Sequence, residues 1–161
     1  MIRIGVLTLS DKGSRGERVD ESGRIARELL APVGVVSHYE LLPDDVEAIT
    51  AKLRQWCDEE HLDLIVTTGG TGLTPRDVTP QATAPLLDYE VVGMAEAMRH
   101  ASLKITPYAM ISRALAGVRG STLIINLPGS PKGVSENLTV VLPVLKHAIE
   151  KLQGAESDCA R

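Results

Sequence analysis

Two short segments hold residue types that suggest chemistry rather than packing: TTGGTGLTPRDVTP, from Thr67 to Pro80, and LPGSPKG, from Leu127 to Gly133. In the first, Gly69, Gly70 and Gly72 permit positive backbone torsions and let a ligand approach peptide N–H groups. Rows of such N–H groups receive anions, and a helix start just beyond them adds partial positive charge. Thr71 and Thr79 offer hydroxyls, and Arg76 a cation, within the same stretch. The second segment repeats the device: Gly129 clears space, Ser130 can cap, Pro131 takes a first helical position, and Lys132 supplies charge. The segment is not a P-loop, because GxxxxGK[ST] is absent, nor a dinucleotide fingerprint, because Gly72 runs into LTPRD. Taken singly, each segment also reads as an ordinary tight turn or a well-made helix start.

Two carboxylates alter that balance. Asp77 stands just outside the helix start expected at Thr79-Pro80, where it could simply favour the helix dipole. Asp44 follows Pro43 and is a natural N-cap for the next helix. Beside anion-receiving loops, however, carboxylates repel phosphate unless a divalent cation lies between them. Mg²⁺ favours one or two carboxylates with phosphate oxygens and water as its remaining ligands. The chemistry indicated is therefore the handling of nucleotide phosphates with Mg²⁺. His38, His61, His100 and His147 fall outside these loops, so neither a Ser–His–Asp nor a Cys–His arrangement competes, and no zinc cluster is indicated.

These groups can cooperate only if the fold gathers them. Ile2–Leu9 reads as a buried strand, Val33–Leu42 as a second, and Leu62–Thr67 as a third. Short strands are expected over Ala114–Val118 and Thr122–Asn126. Between them lie helical patterns: Arg24–Leu30, with Ile25, Leu29 and Leu30 on one face; a helix opened by Asp44-Asp45, with Val46, Ile49, Leu53 and Trp56 inward; and Val92–Leu103, with Met94, Ala97, Met98 and Ala101 inward. The last helix starts at Ser130-Pro131 and carries an apolar stripe of Val134, Leu138, Val141, Leu142, Leu145, Ile149 and Leu152, interrupted by Pro143, which should kink it or remove one hydrogen bond. Met94, Met98 and Leu103, with ITPYAMIS, form either ordinary core or a face for a neighbouring chain.

Alternating strands and amphipathic helices predict an α/β fold, a three-layer α/β/α sandwich around a mostly parallel sheet. Right-handed crossovers then bring every strand-to-helix loop to one carboxyl edge. SDKGSRG with Ser10 and Asp11, PDD with Asp44, TTGGTGLTPRD with Asp77, and LPGSPKG should meet there. A single domain over residues 1–154 is expected, with 155–161 as a frayed tail.

Composition narrows the classes further. A formal charge of −4 and a pI near 5.6 argue against nucleic acid as a partner. One Trp and three Tyr leave few stacking platforms for single strands. No apolar stretch approaches the roughly 18 residues of a membrane span, and Met1 leads directly into the first strand without a signal leader. A cytoplasmic protein is expected, with Cys57 and Cys159 as separate reduced thiols.

TTGGTGLTPRDVTP, followed by ITPYAMISRALAGVRGSTLIINLPGSPKGVSENL, resembles the molybdenum-cofactor biosynthesis domain of molybdopterin adenylyltransferases, MoaB-type proteins and the G domain of gephyrin. SDKGSRGERVDESG and LLPDD extend the likeness over nearly the whole chain. The resemblance implies a trimer that transfers AMP from Mg-ATP to the phosphate of molybdopterin and releases pyrophosphate, with a molybdate-inserting enzyme as a possible downstream partner. It also implies that Asp77 and Asp44 are catalytic and hold Mg²⁺, directly or through water. Gly69 to Gly72 and Pro128, Gly129 and Ser130 match the family's binding motifs. Ser10, Asp11, Thr71, Thr79, Arg76 and Lys132 are further candidates for contacts to nucleotide or pterin. MoaB-type relatives share these motifs, so a molybdopterin-binding module without adenylyl transfer stands as the alternative.

Overall fold

The computed structural model describes residues 1–156; residues 157–161, including Cys159 and most of the expected tail, lie outside the described residues. The strands are β1 Arg3–Leu9, β2 Val35–Leu42, β3 Leu64–Thr68, β4 Tyr89–Glu90, β5 Ala116–Arg119 and β6 Thr122–Leu127. The helices are α1 Asp11–Ser14, α2 Glu21–Leu30, α3 Val46–Asp58, α4 Thr79–Thr83, α5 Val92–Leu103 and α6 Pro131–Leu152, with 3₁₀ turns at Ala84–Leu86 and Pro107–Ile111. The sheet order is β2-β1-β3-β6-β5-β4. β2, β1, β3 and β6 run parallel, while β5 pairs antiparallel with both β6 and β4.

The period-two alternation of strand side chains builds the layers. Ile4, Val6, Leu64, Val66, Leu123 and Ile125 point to one face, under Leu30 of α2, Met98 of α5 and the α6 stripe. Leu7, Leu9, Ile65 and Ile124 point to the other, under Ile49, Leu53 and Trp56 of α3 and Ala82 of α4. Burying each large side chain contributes about 1.5–3 kcal/mol, so both helical layers are held firmly to the sheet. β1 connects to β2 on one side, and the next crossover, through α3, passes back beyond β1 to β3 on its other side. Such a reversal opens a crevice beyond the carboxyl ends of the two strands.

Several element bounds differ from the sequence expectation, each for a local reason. α2 begins three residues early because the Asp20 side chain caps it, accepting from the Gly23 N–H at 2.9 Å. β2 starts at Val35 rather than Val33, since Val33 and Gly34 donate back to Leu30 O at 2.9 and 3.2 Å and close the preceding helix. β3 and β5 each start two residues later than expected. On α5, Ala97 faces solvent and Ala95 takes the buried position, while Val46 at the start of α3 is also exposed. α6 runs unbroken through Pro143, whose place on the solvent face spares the buried stripe. α1, β4 and the Pro107–Ile111 turn were not anticipated. Met94 and Met98 are core, whereas Leu103, Ile105, Tyr108, Met110 and Ile111 are exposed.

Candidate functional site

The carboxyl edge carries two adjoining cavities. The first, about 570 Å³, is entered between the ends of β1 and β3, and Ser10, Asp44, Gly69, Gly70, Asp77, Gly129 and Ser130 line it. The second, about 450 Å³, is lined by Thr71, Gly72, Pro128, Ser130 and Lys132 among others. Ser130 borders both, and the glycine loop passes from one to the other between Gly70 and Thr71. All four strand-to-helix loops contribute residues to this edge, as the crossover rule requires.

The glycines are needed first by the protein itself. Gly69 has φ 102° and Gly70 φ 69°, both in the left-handed region. A Cβ on Gly69 would sit 2.3 Å from Leu9 O, and one on Gly70 2.3 Å from Thr79 Oγ1. Gly129 in turn packs against Gly69, where a Cβ would come within 3.2 Å of its Cα. The loop therefore threads between β1, α4 and the Pro128–Ser130 turn with no room for side chains. Thr79 completes this packing: it is fully buried, its hydroxyl donates to Gly69 O at 2.8 Å and its N–H to Gly70 O at 3.1 Å. It lies behind the loop, out of both cavities. Gly69 directs its own N–H to Leu127 O at 3.1 Å, so the amides beyond it, from Gly70 to Gly72, are the ones a ligand could meet.

The two aspartates behave differently from caps. Asp45, not Asp44, is the N-cap of α3, accepting from the Ala48 N–H at 2.8 Å. Asp44 is thereby released toward the first cavity. Its Oδ2 accepts from the Asp11 N–H at 3.1 Å, while its Oδ1 is buried without a hydrogen-bond partner. Burial raises the Asp44 pKa, with Asp11 and Asp77 adding to the rise; the Asp11 N–H and the charge of Arg76 oppose it. Asp77 sits in a tight turn in which its Oδ2 accepts from the Thr74 N–H at 3.0 Å and hydroxyl at 2.8 Å. α4 itself has no side-chain cap.

Two predicted contacts are turned inward. Arg76 grips Asp11 through two hydrogen bonds of 2.9 Å and donates to Asp44 O at 3.0 Å. That ion pair lowers the Asp11 pKa and ties the first loop to the second and third; neither residue lines a cavity. Lys132 is largely exposed, with Glu136 at 3.6 Å. Ser130 caps α6, accepting from the Gly133 N–H at 3.0 Å, so the positive end of a 22-residue helix faces both cavities.

Sequence reasoning passed over other residues at this edge. Asp20 lines the first cavity, but its carboxylate is engaged within the protein, accepting from Gly23, Thr8 Oγ1 at 2.6 Å and Tyr39 Oη at 2.5 Å. Burial, then Asp20, pushes the Tyr39 pKa up to about 12, so the hydroxyl stays a donor. Ser22 and Thr68 donate to Gly129 O and Pro128 O at 2.6 and 2.7 Å and seat the fourth loop. The second cavity gains Arg99, Ser102, Tyr108, Ser112 and Asn137. An Asp three residues before Gly23 was a legible capping signal; the second-cavity residues come from three separate elements and carried none.

Among the described residues, no cluster of three or more His, Cys, Asp or Glu side chains could hold a metal unaided. A cation here would take Asp44 and Asp77 and complete its shell with substrate oxygens and water, a pattern suited to Mg²⁺. The partnerless Asp44 Oδ1 fits that role, because a buried carboxylate oxygen without a donor gains most from a cation.

The sequence profile described as "Probable molybdopterin binding domain" matches residues 5–147, and the chain belongs to this family of molybdenum cofactor biosynthesis. Among its relatives, the molybdopterin adenylyltransferase of Helicobacter pylori (strain J99) is 42% identical over 156 residues, covering 95% of this chain and 89% of that protein. Gephyrin of Dictyostelium discoideum is 48% identical over 91% of this chain, which spans only 22% of gephyrin's length. The crystal structure of the molybdopterin biosynthesis enzyme MoaB from Thermus thermophilus superposes with a TM-score of 0.91 at 57% identity, covering 96% of this chain and 98% of that one.

Proposed function

We propose that this chain is a molybdopterin adenylyltransferase. The observation that carries the proposal is the pair of cavities sharing one wall, with two aspartates on one side of it. A transfer between two phosphate-bearing substrates needs both held against a common boundary, and the Gly70–Gly72 segment with Ser130 forms such a boundary. The first cavity, with its carboxylates, suits a triphosphate accompanied by Mg²⁺. The second, with Tyr108, Ile105 and Ile111 at its rim and Ser102 and Asn137 deeper in, suits a ring-bearing partner.

In the reaction, an oxygen of the molybdopterin phosphate attacks the α-phosphorus of ATP in line. A new O–P bond forms, the bond to the β-phosphate bridge breaks, and its electron pair leaves with pyrophosphate. No protein nucleophile is required. Asp44 and Asp77 would hold Mg²⁺, which when bound neutralises charge on the triphosphate. The amides from Gly70 to Gly72 and the positive end of α6 orient phosphate oxygens, and Lys132 adds charge at the rim. Catalysis is thus mainly positioning and electrostatic stabilisation in a fixed frame.

Asp77→Asn keeps the volume and removes the charge, so turnover should fall by about 10²–10³-fold while molybdopterin binding persists. The check is mass-spectrometric detection of adenylylated molybdopterin after incubation with Mg-ATP; near wild-type turnover in the variant would remove Asp77 from the mechanism. Because MoaB-type relatives share these motifs, the resemblance also carries a second reading, a molybdopterin-holding module without nucleotide chemistry. Calorimetric titration separates the two, since a module binds molybdopterin but not Mg-ATP.

The proposed assembly is a homotrimer, supported by the family resemblance and by the exposed apolar run at Leu103, Ile105, Tyr108, Met110 and Ile111. A molybdate-inserting enzyme is the proposed recipient of the product and the cytoplasm its proposed site. No helix among the described residues is long and apolar enough to cross a membrane.

A further inference from the structure

We infer that Arg113 is a positioning residue for Asp77, holding the aspartate-bearing loop in its working orientation through that loop's own carbonyl groups. The inference rests on the adenylyl-transfer reading above. Residues 73–76 are exposed. The hydrogen bonds between Thr74 and Asp77 are internal to the turn, so they shape it without anchoring it. Thr79 anchors one base of the loop, and Arg76 reaches from its tip to Asp11.

Arg113 grips the rest at four points. Its N–H donates to Thr71 O at 2.9 Å, Nε to Gly72 O at 2.8 Å, Nη2 to Asp77 O at 2.7 Å and Nη1 to Gln81 Oε1 at 3.1 Å. One residue thus spans the loop from before its outward excursion to the helix that follows.

The consequence follows from peptide geometry. In a planar trans peptide the C=O and N–H point in opposite directions. With Thr71 O and Gly72 O drawn to Arg113, the N–H groups of Gly72 and Leu73 must point away from it. With Asp77 O held, the backbone that carries the carboxylate cannot rotate. The guanidinium is also a fork of donors that a point-like ammonium cannot reproduce. Arg113 is itself braced: Arg99 Nη1 donates to Ser112 O at 3.3 Å and to Ala114 O at 2.8 Å, on either side of it. Arg99 and Ser112 line the second cavity, so the brace of the Asp77 loop is built into the wall of the neighbouring site.

The test uses Arg113→Met and Arg113→Lys in the full chain. Arg119→Met serves as control, because Arg119 makes a comparable set of bonds to Asp58 and Leu86 O at the far end of β5, away from both cavities. Arg113→Met should lower kcat by about 10²-fold, the effect of a small misplacement, with KM for Mg-ATP changed by less than about threefold. Arg113→Lys should recover part of kcat, and Arg119→Met should leave kcat unchanged. Arg113→Met combined with Asp77→Asn should be no slower than Asp77→Asn alone, since both act through one carboxylate. Multiplicative losses in the double variant, or a loss confined to KM, would overturn the inference. Hydrogen exchange of the peptide covering residues 71–79 gives a readout independent of turnover: it should quicken in Arg113→Met and not in Arg119→Met, and equal exchange in both would also overturn it. A wild-type protein that makes no adenylylated product would count against the adenylyl-transfer reading instead, and the exchange comparison would still decide the role of Arg113.

Discussion

At the scale of residues, the site turns on a division of labour between neighbours. Asp45 caps α3, worth about 1 kcal/mol, and Asp44 is left half-buried with one oxygen unpartnered. Burial raises the pKa of Asp44 in the folded chain. A raised folded value stabilises the native state below the unfolded pKa of about 3.9, and that contribution is lost as pH rises through the folded value. Asp44→Asn lacks this loss, so melts without substrate should show the variant gaining on wild type as pH climbs from about 4 toward 7. Adding Mg-ATP should reverse the order, stabilising wild type and not the variant, because a ligand stabilises only the form that binds it. An Asn variant that melts lower at neutral pH, or responds equally to Mg-ATP, would show that Asp44 is a structural group. Which of two adjacent aspartates caps was not legible in sequence, because either could begin the same helix.

At the scale of elements, the long amphipathic pieces were legible and the short ones were not. Of the α6 stripe, Val134, Leu138, Val141, Leu145 and Ile149 are buried and Leu142 and Leu152 lie partly buried at its margin, because a 3.6-residue period over 22 positions admits one buried face; Asn137 joins them unforeseen. α1 and β4, with four and two residues, have too few positions to carry a period. α4 is as short, yet it matters because Thr79 at its start closes over the glycine loop. Thr79→Val keeps the shape, removes the donor and leaves Gly69 O buried without it. The expected cost is about 1–3 kcal/mol in urea denaturation, with Thr79→Ser close to wild type. Equal stability of the Val and Ser variants would mean that this hydrogen bond does not hold the loop. The sequence assigned Thr79 to ligand contact; the hydroxyl faces the protein because Gly69, bent into a positive φ, turns its carbonyl toward it.

At the scale of the molecule, strand order makes the crevice and the surface beyond it suggests assembly. Leu103, Ile105, Tyr108, Met110 and Ile111 stand exposed beside the second cavity, a placement that would put neighbouring chains near the site. Sedimentation velocity should give one species of three chains, and a monomer at micromolar concentration would remove the trimer. The sequence by itself determined the layered α/β architecture and the edge where the loops meet, because right-handed crossovers in a parallel sheet deliver every strand-to-helix loop to the carboxyl side. It also marked Asp44, Asp77, the glycine loop and Ser130 as companions. Only the tertiary structure decided which polar groups look outward. Arg76 and Asp11 satisfy each other, Thr79 satisfies Gly69, and Arg113, from a distant turn, takes the carbonyls of the Asp77 loop. Polar groups pair with whatever partner the fold brings within reach, the buried ones of necessity, and the partners named here lie up to 65 residues away along the chain.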